Sequence, residues 1–305
     1  MSSILILEQS LNGLQFGLML FLLAAGLTLV FGIMDMINLA HGSLYMLGAF
    51  FAATLVQATG SFFLGVLLAI AATALAGMLL EVSLLRTLYQ RDHLSQVLAT
   101  FALILILNEA VRLVWGSDAA LSMPAALSGP VELVPGLMYP SYRLVIIAVG
   151  LAVAVLLFLL VTKTRMGMLV RAGASNREMA LAMGVNIRGL FTAVFGVGAA
   201  LCALAGAMLG PLLAVQVGMG ENILILAFVV IVIGGIGSIR GALVGSLVVG
   251  IVDTIGRAFL PLLFGAFLPP QFASAAGPAI ASVSIYLLMA VVLYFRPQGL
   301  FPARG

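Results

Sequence analysis

The sequence predicts an all-α polytopic membrane protein, and three observations carry that prediction. Of its 305 residues 64% are hydrophobic and only 8% are charged, whereas a soluble domain carries about 25% charged residues. Mean hydropathy is +1.29. Apolar stretches near the length of a membrane span, about 17–25 residues, recur along the whole chain between short polar loops. The chain has 34 glycines, which suits close helix–helix approach in lipid. One transmembrane bundle over 1–305 is expected in the bilayer, rather than the two soluble domains that length alone would suggest.

The apolar stretches fall at 11–33, 43–58, 62–81, 94–115, 143–162, 189–215, 223–239, 241–260 and 278–295. The second and seventh are short and adjoin glycine-rich breaks. The expectation is therefore about eight to ten transmembrane helices, with broken or re-entrant segments near 34–43 and 233–241. The first basic residue is Arg86, so a basic n-region is missing and a cleaved signal peptide is not expected. Cys202 is the only cysteine. It has no disulfide partner and reads as a small packed residue.

One long polar segment interrupts this pattern. Residues 163–188 hold Lys163, Arg165, Arg171, Arg177 and Arg188, five of the 13 basic residues. Within them Ser175 and Glu178 have the spacing of a capping box, in which each side chain satisfies a free backbone N–H at a helix start. Ala180, Leu181, Ala182 and Met183 favour helix. Gly184 sits where a left-handed cap would end it. The prediction is a surface helix of about nine residues, roughly 13 Å long, too short to cross a bilayer.

Lysine and arginine in short loops set orientation. With 163–188 in the cytoplasm, Arg86, Arg91, Arg240, Arg296 and Arg304 also lie inside. Only Arg112, Arg143 and Arg257 lie toward the outside, and so does the N-terminus. The basic residues are spread over loops, so membrane topology explains them and nucleic acid is not an expected partner. The segment 116–142 is the longest outer loop. It carries four prolines and a fringe of Trp115, Tyr139 and Tyr142 suited to the membrane interface. It reads either as a docking site for an external partner or as a plain connector.

Two breaks hold the candidate path residues. In the first, Asp35, Asn38 and His41 interrupt apolar sequence between Gly32 and Gly42. A charge at the bilayer centre costs roughly 2.5–3.5 kcal/mol, and unwound backbone at that depth survives only where it is buried or lines a cavity. Asn38, His41 and Gly42 thus read as lining of a path or gate, or else as a polar helix cap at the cytoplasmic surface. The second break holds Gly234, Gly235, Gly237 and Gly241 within eight residues, too many for an uninterrupted helix. Its free N–H groups are placed to meet a substrate carboxylate, or the glycines, with Gly241 and Gly245, serve a tight turn and close packing. The two breaks share a coarse pattern suggestive of an internal repeat. Glu109 with Arg112, and Asp253 with Arg257, have the spacing of ion pairs on one helix face. Isolated carboxylates such as Asp35 and Asp253 also leave open an ion-coupled secondary carrier or channel.

No nucleophile–base–acid set, HExxH pattern or metal-ligand pair is present, and His41 has no second ligand nearby. No cofactor and no metal are expected. A P-loop needs Gly-Lys-Ser/Thr. The only lysine, Lys163, follows Thr162, so ATP hydrolysis, if it drives this chain, belongs to another subunit and the chain itself is not an enzyme.

Taken together, four stretches resemble the LivH-type permease subunits of branched-chain amino acid ABC transporters. They are Gly26 to Phe50 (GLTLVFGIMDMINLAHGSLYMLGAF), Arg171 to Ile187 (RAGASNREMALAMGVNI), Ala227 to Asp253 (AFVVIVIGGIGSIRGALVGSLVVGIVD) and Arg296 to Phe301 (RPQGLF). They spread over almost the full length. The resemblance implies a multi-pass protein of the bacterial inner membrane. Its implied partners are cytoplasmic ATPase subunits, a second permease subunit and an external substrate-binding protein that delivers an amino acid. It also implies that Ser175, Glu178, Ala180 and Gly184 belong to the loop that couples to the ATPases. The chain departs from the family pattern at Asp35, Ser43 and Arg240, near the two breaks, and relatives of the family carry amides or urea.

Overall fold

The computed structural model describes residues 3–267 and 269–301; Arg304, counted above with the inner basic residues, lies outside them. Among the described residues, eight helices are long and apolar enough to cross a membrane. They are α1 (Ser3–Met34), α2 (His41–Thr59), α3 (Phe62–Leu88), α4 (His93–Trp115), α5 (Ser141–Lys163), α8 (Ile187–Leu213), α10 (Ile239–Phe264) and α11 (Pro270–Phe295). Three shorter helices complete the set: α6 (Arg165–Ser175), α7 (Arg177–Ala182) and α9 (Met219–Gly234). Each of the nine apolar stretches in the sequence is represented by a helix. The second is not short, since α2 runs 19 residues. The seventh is, since α9 has only 16.

α1 and α8 form the centre and are buried along most of their length. They run antiparallel, with Gly26 against Gly198 and Ile33 beside Gly173 and the start of α8. α10 lies along α1 at backbone distance. A Cβ on Gly17 would sit 2.8 Å from the Ser246 carbonyl oxygen, and one on Gly13 would sit 2.9 Å from the Ile251 Cα. Lipid offers no hydrophobic drive for helices to associate, so such contact through small residues supplies the packing energy. Cys202 is buried in this centre with a free thiol, as its apolar surroundings predict.

Two ends of the bundle can be told apart. At one, Asn12 near the start of α1 accepts hydrogen bonds from Tyr139 (3.0 Å) and Arg143. The segment 116–142 lies there and is more ordered than a plain loop. It holds a hairpin of β2 (Pro130–Val134) and β3 (Leu137–Pro140), and β1 (Asp118–Ala119) pairs with β4 (Val215–Gln216). At the other end lie Arg86, α6, α7, Arg240 over the Phe158 ring, and the tail. The structure therefore groups the basic loops on one side, as their charges did. Both anticipated ion pairs form at 2.8 Å, Glu109–Arg112 and Asp253–Arg257. Asp92 caps α4, and its bonds from the Ser95 hydroxyl and N–H hold its carboxyl below the usual range.

The internal similarity lies elsewhere than between 34–43 and 233–241. α1 ends at Met34 and α8 at Leu213, and the residues that follow, Asp35 (φ 50°) and Ala214 (φ 66°), are the only non-glycine residues with positive φ among those described. Each leads through a short unwound stretch into another helix. Those helices, α2 and α9, begin back to back, with Gly42 of one against the Gly220 backbone of the other. Because α1 and α8 run in opposite directions, the two helix–break–helix units are related in an inverted sense, a plan known in transporters.

Candidate functional site

The first break is buried at Asn38 and His41, whereas Asp35 at its start is exposed. Asn38 and His41 are both fully shielded from solvent, which removes the reading of a polar cap at the cytoplasmic surface. Asn38 does shape the turn. Its Oδ1 accepts the Ala40 N–H at 3.1 Å, and its carbonyl lies 3.4 Å from the His41 N–H. This local side-chain-to-backbone bond steadies the unwound stretch before α2. The rest of the polar capacity is unused. Asn38 Nδ2, both ring nitrogens of His41 and the Thr28 hydroxyl are buried without a hydrogen-bond partner. A buried unsatisfied group costs about 1–3 kcal/mol, so these groups are kept against a stability penalty. His41 reaches between the two central helices. A Cβ on Gly26 would meet its Nε2 at 2.9 Å, one on Gly198 would meet its Cε1 at 3.2 Å, and Phe195 stands edge-on to its ring. Gly42 is required by the approach of Gly220.

The second break is a packed turn. Gly235 (φ 107°) and Gly237 (φ 80°) take conformations that suit glycine. Four of its N–H groups are already bonded within the turn. Gly235 donates to Ile231, Ser238 to Gly235, Gly241 to the Ser238 hydroxyl, and Ala242 to the Ser238 carbonyl. The tail closes the site, with Leu300 and Phe301 N–H groups capping the Ile233 and Gly234 carbonyls at 2.8 and 2.9 Å. Gly245 packs on Val230, as the packing alternative holds. The break thus joins the carbonyl end of α9 to the N-terminal end of α10, with Ser238 as the cap between them. Gly32 at the end of α1 meets Gly237 of the second break. The nearest neighbours of Gly234 and Gly235 are Gly241 and the tail residues Gln298 and Phe301, not Asn38 or His41.

The polar segment forms two helices in place of one. α6 is capped by Thr164, whose hydroxyl accepts the Gly167 N–H at 3.1 Å. Ser175 is still helical and ends α6, so it is not the cap of α7. That cap is Asn176, one residue later, with extended backbone (φ −152°, ψ 100°) and Oδ1 accepting the Met179 N–H at 2.9 Å. α7 is six residues long rather than about nine. It ends as predicted at Gly184 (φ 83°), with Gly184 N–H bound to Leu181 O and Val185 N–H to Ala180 O, the double closure of a Schellman motif. Ala180 is buried, and Glu178 lies exposed in the first turn, where a carboxylate suits the helix dipole. Met179, Leu181 and Met183 point away from the bundle and are 53–78% exposed. Beside the end of α7 lies an open groove of about 430 Å³, lined among others by Met166, Leu169, Met183 and Leu190. Arg177 returns to the bundle and stacks 4.8 Å from the Phe191 ring of α8.

A further polar centre lies at this end and has no counterpart in the sequence reading. α3 contains a π-helical turn, Glu81–Leu85. Ordinary helix geometry pairs residues three or four apart. The wider turn brings Arg86 over Glu81, five residues on, with Nη2–Oε2 at 3.0 Å and Nε–Oε1 at 3.3 Å. The fully buried Glu81 also accepts from the Tyr89 hydroxyl (2.8 Å) and the Thr192 hydroxyl of α8 (2.6 Å). Burial pushes the Tyr89 hydroxyl above its usual range.

Residues 9–294 match the family described as "Branched-chain amino acid transport system / permease component". The high-affinity branched-chain amino acid transport system permease protein BraD of Pseudomonas aeruginosa is 32% identical over 308 residues, covering 96% of this chain and 95% of the relative. The LivH protein of Escherichia coli, which carries the same description, is 31% identical over 277 residues, 83% of this chain and 87% of its own. A probable branched-chain amino acid transport permease protein LivH of Methanocaldococcus jannaschii is 28% identical over 258 residues, 81% of this chain and 80% of its own. No solved structure matches the chain. With a bundle of membrane-length helices, no nucleotide-binding motif and a match over nearly its whole length, this multi-pass membrane protein belongs to the branched-chain amino acid permease family.

Proposed function

We propose that this chain is one of two permease subunits in an ATP-driven importer of branched-chain or other hydrophobic amino acids. In this reading residues 1–305 are a single transmembrane permease domain with its coupling loop at 163–188. α7 seats in cytoplasmic ATPase subunits through Glu178 and the exposed Met179, Leu181 and Met183, with Asn176 and Gly184 fixing its ends and Ser175 closing α6 beside it. An external binding protein docks on the side that carries the hairpin, and ATP-driven closure of the ATPases rocks the bundle between outward- and inward-facing forms. The observation that carries the reading is α7 itself. A helix of six residues, capped at both ends and presenting apolar side chains away from its own bundle, has an unpartnered face of the kind that marks a docking site. Asn38, His41 and Gly42 line or gate the path. Gly234, Gly235 and Gly237 serve the closed turn at its inner end.

The test is uptake of labelled leucine by cells with and without this chain, after ATP depletion and after collapse of the proton gradient. Valine, phenylalanine, glutamate and urea serve as competitors. Uptake lost with ATP and insensitive to the gradient supports the importer, and competition by valine over urea supports the substrate class. Uptake that follows the gradient alone would replace it with an ion-coupled carrier. Glu178→Arg places a cation at the positive end of α7 and reverses its charge toward the ATPase. Uptake is expected to fall about tenfold or more with the protein still folded. Full uptake by that variant would remove α7 from the coupling role.

A further inference from the structure

We infer that the cluster around Glu81 is the joint through which movement of α7 reaches the membrane helices, with Glu81 and Tyr89 as its positioning residues. The inference rests on α7 being the coupling element. A continuous line of contacts leads from α7 to Glu81. The Arg177 guanidinium at the first position of α7 stacks on Phe191 at 4.8 Å. Phe191 is buried and meets the Tyr89 ring edge-on, with centroids 5.4 Å apart and planes at 83°. The Tyr89 hydroxyl donates to Glu81 at 2.8 Å. Glu81 in turn gathers Arg86 of α3 and Thr192 of α8, and Arg86 also donates to the Thr192 hydroxyl at 2.8 Å. α3 and α8 therefore meet at one carboxylate, and α7 reaches it through Phe191 and Tyr89.

Two features make this a joint rather than a rivet. The carboxylate has no exposure to solvent, so its charge is compensated only by these donors. A shift of Phe191 and Tyr89 that withdraws one donor leaves a buried charge short of partners, and a buried charge in that state is strongly destabilised. The cluster thus favours discrete arrangements over gradual deformation, which is what a transmitted movement requires. The second feature is the backbone. Glu81 opens a π-helical turn, an insertion found mostly as single turns and frequently at functional sites. Relaxing it to α-helix moves Arg86 off Glu81, because residues five apart do not share a face of an α-helix. Side-chain and backbone changes are therefore linked at the same residue. Just along α3 toward the membrane interior, a Cβ on Gly77 would come within 2.7 Å of Ala199, and one on Gly196 of α8 within 2.9 Å of Met78. A change of register at Glu81 therefore acts on the packed α3–α8 seam.

The test uses the intact chain, tagged and purified from its own cells with whatever ATPase subunits accompany it, then reconstituted in lipid vesicles. Three quantities are read on each variant: ATPase retained, ATP hydrolysed, and labelled leucine transported per ATP. Tyr89→Phe removes one hydroxyl and keeps the ring on Phe191. Thr192→Val and Thr192→Ser remove and keep the second hydroxyl. Tyr89→Phe and Thr192→Val are expected to retain the ATPase and its hydrolysis while transport per ATP falls about tenfold, with Thr192→Ser restoring it. Transport per ATP within twofold of the parent in both variants would overturn the joint. So would loss of the ATPase along with uptake, because the cluster would then serve docking or folding. If the parent chain retains no ATPase at all, it is the coupling role of α7 that fails, and the joint falls with it.

Discussion

The two unwound connections, α1 to α2 and α8 to α9, solve one backbone problem with different chemistry. Both follow a central helix, both open on a non-glycine residue at positive φ, and both end where Gly42 and Gly220 meet. The α8–α9 connection is satisfied by backbone and sulfur. Val215 and Gln216 pair with Ala119 and Asp118, Val217 N–H binds Ser117 O at 3.0 Å, and Gly218 N–H rests on Met46 Sδ at 3.4 Å. The α1–α2 connection is satisfied locally by Asn38 and then left with surplus: the Asn38 amide nitrogen and both ring nitrogens of His41 at the start of α2. Fold alone does not ask for that surplus, since the partner connection does without it. The difference separates a shared scaffold, two helix starts held back to back, from a polar function placed on one side only.

The largest expected effect tests the shared scaffold. A Cβ on Gly42 would come within 3.0 Å of both the Gly220 carbonyl carbon and the Leu224 Cβ, with the Gly220 oxygen closer still. One on Gly220 would reach the Gly42 carbonyl in the same way. Backbone has little room to yield, so Gly42→Ala and Gly220→Ala should each cost about 1–3 kcal/mol and sharply reduce both yield and uptake. Thermal unfolding in detergent checks this. Equal losses fit an inverted pair. A harmless Gly220→Ala beside a damaging Gly42→Ala would break the equivalence.

The next effect tests the one-sided function. His41→Leu replaces unsatisfied ring nitrogens with apolar atoms of similar reach. Removing unpaired polar atoms from a buried site is close to neutral or stabilising, so the melting temperature should hold or rise while leucine uptake falls. Met46→Leu, its counterpart beside the other connection, is volume-conserving and should cost less than about 1.5 kcal/mol, leaving uptake near the parent level. If His41→Leu lowers stability and uptake together, the histidine is a packing residue, and the contrast between the two connections carries no function.

The same contrasts separate what the residues disclose by themselves from what only the fold reveals. Apolar runs made the eight membrane-length helices and the shorter α9 legible, because in lipid every backbone group must be satisfied within a helix. Gly184 was legible as a cap, because a left-handed ending needs glycine. Ser175 misled because two residues in a row, Ser175 and Asn176, both suit a cap, and only the end of α6 decides between them. Glu81 with Arg86 was invisible, since spacing by five is not a pair until a π turn makes it one. The true partner of the first break was hidden by glycine count. Gly234 to Gly241 looked like the match. The equivalent stretch opens on Ala214, an unremarkable letter in the sequence that takes an unusual φ, and the meeting of Gly42 with Gly220 joins residues far apart in the chain.

The smallest effect sharpens the comparison at those two opening residues, and its sign differs between them. Ala214 sits at φ 66°, ψ 143°, a region disfavoured for a residue with a Cβ, where strain is on the order of 1–3 kcal/mol. Ala214→Gly relieves that strain and adds back only about 0.4–1 kcal/mol of unfolded-chain entropy. The substitution should therefore stabilise the protein slightly. Asp35 at φ 50° is a residue type that visits left-handed backbone at little cost. Asp35→Gly then recovers little strain, the entropy loss dominates, and stability should hold or fall slightly. Melting temperatures of the two variants against the parent decide the matter. A rise for Ala214→Gly and none for Asp35→Gly would mean that the first connection opens on a residue suited to its turn, whereas the second is held in its turn by its surroundings, the β1 pairing and the Gly42–Gly220 contact. The reverse order would place the strain at Asp35, at the start of the connection that carries the unsatisfied polar groups.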